Sequence, residues 1–175
     1  MKIIIPAAMV AALVWCAAAQ GAESPRVRQT NDFGWRFSKG DHPGAEAVGY
    51  DDSKWKSVNL PHDWSIFGPF DTAKNPRSEG ALPTGMGWYR KVMSISAADQ
   101  GKRVFLEFDG IYENGSVFVN GTLAGKRPYG YTSVCYDVTP LVKFGGDNTI
   151  AVQVDNTEQP NSRWVAEFIG DVNLI

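Results

Sequence analysis

The sequence predicts an all-β protein, and more specifically a β-sandwich assembled from many short strands. Residues 102–109, 133–138 and 149–155 each alternate apolar and polar side chains, which is the two-residue period of a strand with one buried face. Turn-forming residues separate such segments at intervals of about 8–12 residues, as they do in sandwiches and barrels. Beyond residue 20 no long amphipathic helical pattern and no internal repeat occurs, so a mixed α/β architecture is not favoured.

The C-terminal half contains the clearest strand patterns. Val104, Leu106 and Phe108 occupy one face of the segment 102–109. In the segment 149–155, alternation assigns three residues to each side: Ile150, Val152 and Val154 inward, and Ala151, Gln153 and Asp155 outward. Between these segments, Asn120-Gly121 follows a β-rich run and predicts a type I′ hairpin turn, because both residue types tolerate positive φ.

The N-terminal half is less regular. Residues 33–37 are predicted to form the first strand, and residues 87–95 a later one. Asp and Ser residues favour a single helical turn over 51–55. The segment 60–64 must be extended or turning around Pro61, and residues 65–84, which are rich in Pro, Gly, Asn and Ser, are predicted to form a long loop.

The first 19 residues have the organisation of a secretory signal peptide. Lys2 supplies the positive charge, residues 3–18 are almost wholly apolar, and the small residues 17–19 fit a cleavage site. We therefore expect export to the periplasm or the extracellular space. Two alternatives stay open: a retained membrane anchor, and lipid attachment at Cys16, against which the bulky Trp15 argues.

Composition argues against several classes of function. The formal net charge is −2, from 17 basic and 19 acidic residues without a basic run, so nucleic acid and anionic membrane surfaces are poor partners. Beyond the leader the chain has a single cysteine, Cys135, which excludes an intrachain disulfide, and no Cys/His cluster has zinc spacing. No metal or cofactor is therefore predicted. The alternative is a calcium ion held by three aspartates, Asp51, Asp52 and Asp71.

Five segments of the chain occur in a characteristic order. They are DDSKW leading into VNLPHDW (51–64), TGMGWYRK (84–91), LEFDGI through VFVNG (106–121), YDVTPLV (136–142), and NTIAVQVDN followed by PNSRW (148–164). In this order they resemble the N-terminal domain of family 2 glycoside hydrolases, the group of β-galactosidases, β-glucuronidases and β-mannosidases. Each segment alone is weakly diagnostic, but the ordered set is specific. The details are most similar to β-galactosidase-type enzymes.

The resemblance implies a jelly-roll, galactose-binding-domain-like sandwich over residues 31–175, after the signal peptide (1–19) and a disordered mature N-terminus (20–30). In the family an immunoglobulin-like domain and a TIM barrel follow, and the barrel carries two catalytic carboxylates about 5–5.5 Å apart. A barrel alone needs about 250 residues. The chain is thus expected to have no catalytic residues and to be a non-catalytic sugar-binding or scaffold domain. Its expected partners are a β-galactoside-type glycan and the downstream domains.

Two departures from the family pattern accompany this resemblance. After Trp164 the family's Gly-rich turn is missing, so the C-terminal end is either a divergent last strand or a truncation. Leu82 and Ser162 occupy places where some β-galactosidases have an Asn and an Asp that reach the barrel's site, and neither supplies a carboxylate. A free-standing carbohydrate-binding module and a non-functional remnant of a truncated gene are therefore kept as alternatives.

Candidate residues for ligand or interdomain contact come from four segments. They are His62, Asp63, Trp88, Tyr129, Tyr131, Asp155, Asn156, Arg163 and Trp164. His62 and Asp63 have the residue types of a catalytic dyad, since a carboxylate can orient an imidazole. No Ser or Cys nucleophile motif accompanies them, and a structural corner at Pro61, with Trp64 packed inward, is the favoured interpretation.

Four aromatic residues have the chemistry for stacking on a sugar ring. Trp88 and Tyr89 point to opposite sides of a predicted strand, so one of them is expected in the core. Tyr129 and Tyr131 lie in a Gly/Pro-rich loop and are expected to be exposed. The alternative for these two tyrosines is packing within their own loop.

The remaining candidates lie near the C-terminal end. In the family this region faces the barrel, so the resemblance implies an interdomain interface here, formed by Asp155, Asn156, Arg163 and Trp164. The alternative is a strand-end cap with a surface ion pair worth less than about 1 kcal/mol.

Overall fold

The structure, a computed structural model, describes residues 26–73, 81–157, 168–169 and 172–174. The strands within these residues are β1 (Gln29–Thr30), β2 (Trp35–Lys39), β3 (Lys56–Val58), β4 (His62–Asp63), β5 (Gly85–Ile95), β6 (Phe105–Phe108), β7 (Gly115–Val119), β8 (Thr122–Arg127), β9 (Val134–Asp137), β10 (Gly146–Asn156), β11 (Phe168–Ile169) and β12 (Val172–Leu174). The predicted all-β class is confirmed. In the described part of the chain, no helix has the length and apolar character that crossing a membrane requires.

The strands form two antiparallel sheets, as the sandwich prediction requires. The larger sheet has the order β3-β2-β5-β10-β7-β8, and the smaller one has the order β1-β12-β6-β9. A two-stranded pair, β11-β4, lies apart from both sheets in the hydrogen-bonding pattern. The long central strands β5 and β10 pair along their whole length, from Gly85 opposite Asn156 to Ile95 opposite Gly146.

The main core lies between the inner faces of the two sheets. In the larger sheet, Tyr89, Val152 and Val117 are cross-strand neighbours, and all three are buried. The smaller sheet adds Leu106 and Phe108, on the face that alternation predicted. Each such fully buried side chain contributes about 1.5–3 kcal/mol of hydrophobic stabilisation. The predicted inward set of β10 is likewise confirmed by burial: Ile150, Val152 and Val154.

A second apolar layer covers the outer face of the larger sheet. Trp88 and Ala151 project from that face, and Ala45 and Trp55 of the outer loop (residues 40–55) pack against them. Ala151 points outward, as predicted, but the outer loop covers it and leaves it 0% exposed. The larger sheet is therefore buried on both faces over this region.

Arg90 fastens the outer loop to the larger sheet. This side chain is buried, its Nε donates to Oδ2 of Asp52 at 2.9 Å, and its Nη1 donates to the backbone oxygens of Ala45 and Ala47. The guanidinium also lies 5.5 Å from the ring centroid of Tyr50. Buried charge is costly unless it is paired and hydrogen-bonded, and these contacts satisfy that condition.

The structure gives the detail of three N-terminal segments. The first strand of the larger sheet begins at Trp35 rather than at residue 33, since Gly34 has φ +75° and its amide donates to the side chain of Asn59. The expected helical turn at 51–55 is a single hydrogen-bonded turn, after which the chain enters β3. Gln29 and Thr30, within the segment expected to be disordered, pair with β12.

The Asn120-Gly121 hairpin turn is confirmed. Both residues have positive φ, 51° and 84°, and they join Val119 to its partner Thr122. The Asn120 side chain does more than permit this conformation: its Nδ2 donates to the backbone oxygen of Leu141 and its Oδ1 accepts from the amide of Thr149. The turn is thereby tied to two other parts of the chain.

Candidate functional site

Several of the predicted residues gather at one end of the sandwich, which we call the loop end. There β5 begins and β10 ends, with Asp155 opposite Met86 and Asn156 opposite Gly85. The end of β8 and the start of β7 are at the same end, so the loops at 109–114 and 128–133 emerge beside Asn156. The fold thus places side chains from three separate segments within one surface region.

Three tyrosines form an aromatic platform at the loop end, the tyrosine platform (Tyr112, Tyr129 and Tyr131). Tyr129 and Tyr131 are 55% and 48% exposed, as predicted, with ring centroids 5.8 Å apart. The ring of buried Tyr112 packs against that of Tyr131, with the two ring centroids 4.8 Å apart. Gly130 allows this packing, because a Cβ there would lie 2.5 Å from the Cα of Tyr112. A ligand role for the two exposed rings stays a prediction.

Asp155 and Asn156 are held at the end of β10 by backbone contacts with the neighbouring loop. The Asp155 amide donates to the Glu113 oxygen at 3.1 Å, and Nδ2 of Asn114 donates to the Asp155 oxygen at 3.3 Å. The Asp155 carboxylate accepts from the amide of Thr157. Asn156 is 3% exposed, and its Nδ2 has no hydrogen-bond partner among the residues that the structure describes. Their assignment to an interdomain interface stays a prediction.

His62 and Asp63 do not have the geometry of a catalytic dyad. The His62 ring is 9% exposed and its Nδ1 lies 2.7 Å from the hydroxyl of Tyr89. Asp63 instead accepts from the amides of Ser65 and Ile66, at 2.9 and 3.4 Å. Burial, and then the charge of a nearby lysine, lowers the pKa of His62, whereas burial raises the pKa of Asp63. Trp64 is buried too, so the structural corner predicted here fits the geometry.

Trp88 has to be corrected as a sugar-stacking candidate. Its ring is 3% exposed, because the outer loop covers it and Phe118 stacks on it at 6.0 Å. Tyr89, on the opposite side of the strand, is buried in the main core. Both residues are therefore buried and structural, whereas the sequence predicted that one of the two would lie in the core.

Two of the predicted residues, Arg163 and Trp164, lie outside the described residues. Among those described, His, Cys, Asp and Glu form no group of three that could hold a metal ion. The aspartates of the calcium alternative are engaged elsewhere: Asp51 and Asp71 accept from backbone amides, and Asp52 pairs with Arg90.

A pocket that sequence reasoning missed lies beside His62. We call it the mouth pocket; its volume is about 260 Å³ and its lining is Phe37, Lys39, Lys56, His62, Trp64, Phe67, Gly68, Pro69 and Pro83. The Lys39 Nζ lies 4.0 Å from the Trp64 ring centroid, and the Lys56 Nζ lies 5.7 Å from that of Phe67. Lys39 could have been found from the sequence, since it shares the face of Phe37, but Lys56 requires the strand register.

Comparison with known proteins agrees with this architecture. Residues 82–167 match a family model described as glycosyl hydrolase 2 galactose-binding domain-like. The β-galactosidase BoGH2A of Bacteroides ovatus is 51% identical over 143 residues, which is 81% of this chain and 17% of that protein. A β-glucuronidase of Bacteroides fragilis is 32% identical over 68% of this chain and 16% of its own length. A β-glycosidase structure from Bacteroides vulgatus superposes with a TM-score of 0.81 and 39% identity, over 86% of this chain and 20% of that one.

The fold and these matches together define a galactose-binding-domain-like β-sandwich. The chain belongs to glycoside hydrolase family 2, in which it corresponds to the N-terminal domain. It spans about a fifth or less of the length of the relatives given above, at 17%, 16% and 20%.

Proposed function

We propose that this chain is the non-catalytic sugar-binding or scaffold domain of an exported family 2 glycoside hydrolase of the β-galactosidase type. The observation that carries the proposal is the convergence of the tyrosine platform and the end of β10 at the loop end. Such a surface can contact a glycan and the domains that would follow in the chain. The names of the relatives, β-galactosidases and β-glucuronidases, support carbohydrate as the ligand class.

The hydrogen bonds of two candidate carboxylates, Asp63 and Asp155, support a non-catalytic role. A glycosidase needs two carboxyl groups that face one substrate, one of them as acid and the other as nucleophile or base. Asp63 and Asp155 instead direct their oxygens at backbone amides two residues further along their own chain. These bonds fix local turns and leave the two carboxylates in structural positions.

A hydrolysis assay tests the absence of catalysis. We expect the purified chain to release no nitrophenol from nitrophenyl β-galactoside or β-glucuronide above the buffer rate, while BoGH2A, assayed in parallel, serves as the active reference. Turnover that follows the purified chain through chromatography and is lost in Asp63→Asn or Asp155→Asn would overturn the proposal.

A binding titration separates the scaffold from the second candidate, a free-standing carbohydrate-binding module. The exposure of Tyr129 and Tyr131 favours this second candidate, because exposed aromatic faces stack on sugars. Saturable heat with galactosides, weakened up to about tenfold by Tyr129→Ala or Tyr131→Ala, would support the module. Phe33→Ala is the matched control, because Phe33 is an exposed ring that precedes β2 at the other end of the sandwich. Absence of saturable heat favours the scaffold.

Export is part of the same proposal. It rests on the charged and apolar organisation of residues 1–19. Expression of the whole chain in a Gram-negative host should give a periplasmic product whose mass corresponds to a mature N-terminus at Gln20. A mass that includes a lipid on Cys16 would support the alternative of a lipoprotein, and an uncleaved cytoplasmic product would contradict export.

A further inference from the structure

We propose that the mouth pocket binds a single anionic sugar residue, with its acidic substituent held by Lys39 and Lys56 and its ring against the exposed face of Phe67. The anionic group is a carboxylate or a sulfate ester, which share the chemistry that two ammonium groups recognise. This site is separate from the tyrosine platform and from the role proposed above, so each of the three can fail independently.

The positions of the two lysines follow from the strand register. Lys39 lies two residues after Phe37 on β2 and therefore shares its inward face. Lys56 is directly opposite Phe37 across the β2–β3 pair, and directly opposed residues project to the same side of a sheet. Both lysine stems thus start from the inner face of the larger sheet on either side of Phe37, a face that elsewhere carries apolar side chains.

The walls of the mouth pocket are held in place by local contacts. The Ser65 hydroxyl donates to the backbone oxygen of Pro83 at 3.0 Å, and the Gly68 amide donates to the Ser65 oxygen at 3.1 Å. Gly68 also packs closely on Pro83, since a Cβ there would lie 2.2 Å from the proline Cγ. These contacts hold Phe67 where its ring stacks 6.1 Å from that of His62. The aromatic wall is therefore preorganised, which reduces the entropy lost on binding.

Among the described residues, the lining of the mouth pocket contains two lysines and no Asp or Glu. His62 is uncharged at neutral pH, because burial and the charge of Lys56 both lower its pKa. Its Nδ1 already faces the Tyr89 hydroxyl, so the Nε2 edge is the one left for a ligand hydroxyl. The pocket thus combines cationic groups with one neutral polar group.

Size and wall chemistry select the ligand class. Sites for drug-sized ligands occupy about 300–1,000 Å³, so a pocket of about 260 Å³ accommodates one sugar ring. Aromatic faces match the apolar C–H face of a pyranose, and lysine ammonium groups form charge-assisted hydrogen bonds with anionic oxygens. A neutral sugar would pack against the aromatic face but would form no charge-assisted hydrogen bond with the lysines.

Titration calorimetry on the whole chain tests this inference. The probes are methyl glucuronide, a sulfated galactose, methyl galactoside as the neutral sugar, and inorganic sulfate. We expect the carboxylated or the sulfated sugar to bind at least about tenfold more tightly than methyl galactoside, since one charge-assisted bond corresponds to about a tenfold change. Comparison of the two acidic sugars identifies the anionic group. Equal affinity for acidic and neutral sugars, or no binding of either acidic sugar, would overturn the inference.

Variants assign the binding to the mouth pocket. Lys56→Met should weaken the acidic sugar about tenfold and leave the neutral sugar unchanged, whereas Lys56→Arg retains the charge and should retain most of the affinity. Lys54→Met is the matched control, because Lys54 is exposed in the preceding turn and does not line the pocket. Thermal melting checks that each variant folds. If Lys54→Met and Lys56→Met weaken binding equally, or if inorganic sulfate binds as tightly as the sugars, the site is not the one proposed.

Discussion

The Asp32 carboxylate accepts a hydrogen bond from the backbone amide of Val172, 140 residues further along the chain, at 2.7 Å. The backbone amide of Asn31, the residue before Asp32, donates in turn to the backbone oxygen of Val172 at 2.7 Å. Both contacts lie where β1 and β12 meet, so a side chain extends the pairing that two very short strands can supply. The N-terminal segment and the last described strand therefore depend on each other.

We expect Asp32→Ala to lower the free energy of unfolding by about 1–3 kcal/mol, because the buried amide of Val172 would lose its acceptor. Urea denaturation of the purified chain measures the change. Asp32→Asn, which keeps an acceptor oxygen, should lose less, and Asp41→Ala, at an exposed loop position, should change the free energy by less than about 0.5 kcal/mol. Equal stability of Asp32→Ala and Asp41→Ala would contradict this role of Asp32.

Arg90→Met should destabilise the fold by about 3 kcal/mol or more, because it removes the Arg90 donor from the buried oxygen of Ala45 and leaves Asp52 without its partner. Trp55 and Trp88 lie in the layer that Arg90 fastens, so tryptophan fluorescence should shift to longer wavelength as water enters. The comparison is Lys102→Met, which removes an exposed ion pair with Asp99 and should cost less than about 1 kcal/mol. Equal melting temperatures of Arg90→Met and Lys102→Met would contradict this prediction.

Substitutions at Asn120 can separate its backbone role from its side-chain role. Asn120→Gly keeps the positive φ and removes only the bonds to Leu141, Asn148 and Thr149. Asn120→Ala removes the same bonds and adds the strain of a non-glycine residue at φ 51°, about 1–2 kcal/mol. We therefore expect both variants to be less stable than the parent in denaturant titration, with Asn120→Ala the worse by that amount. A fully stable Asn120→Gly variant would show that the side-chain bonds contribute nothing net.

The pKa of His62 predicts a loss of stability in mild acid. Burial and the charge of Lys56 lower the pKa of His62 in the folded protein below its ordinary value of 6.5. As the pH falls past 6.5, the unfolded chain binds a proton at this position before the folded chain does, so the free energy of unfolding decreases. Denaturation at about pH 7.5 and about pH 5 should reveal this slope, and His62→Gln should reduce it. An identical slope in parent and variant would assign the pH dependence to other groups.

Asp63 also contributes to the pH dependence of stability in acid. Burial raises the pKa of Asp63 in the folded protein above its ordinary value of 3.8. Its contribution to stability is therefore present below 3.8 and is lost as the pH rises through the folded pKa. The direction is opposite to that of His62, so an Asp63→Asn variant provides an independent control for the acid side of the profile.

The predictions that succeeded were local in character. Alternation identified the inward faces of β6 and β10, because a strand's period of two residues is carried by the strand's own side chains. The Asn120-Gly121 turn was likewise predicted from two adjacent residues, whose tolerance of positive φ is a property of the residue types. The family resemblance added the order of the segments and hence the sandwich.

The features that were missed depend on contacts between distant segments. Ala151 and Trp88 have the positions of outward strand residues, and they are buried only because the outer loop, whose composition is that of an ordinary loop, lies over them. Lys56 becomes part of the mouth pocket only through its pairing with Phe37. The contacts of Arg90 could not be predicted either, since no local pattern indicates that a strand arginine will bind three loop residues.

The outer loop restricts where this domain can change without losing its fold. Because the loop and Arg90 cover the outer face of the larger sheet around Trp88 and Ala151, a substitution on either face of that region disturbs packed side chains. The tyrosine platform and the mouth pocket, in contrast, are carried largely by loop and strand-end residues. Exchange of single exposed side chains at these two places can therefore change the surface chemistry of the domain, while the sandwich itself remains the same.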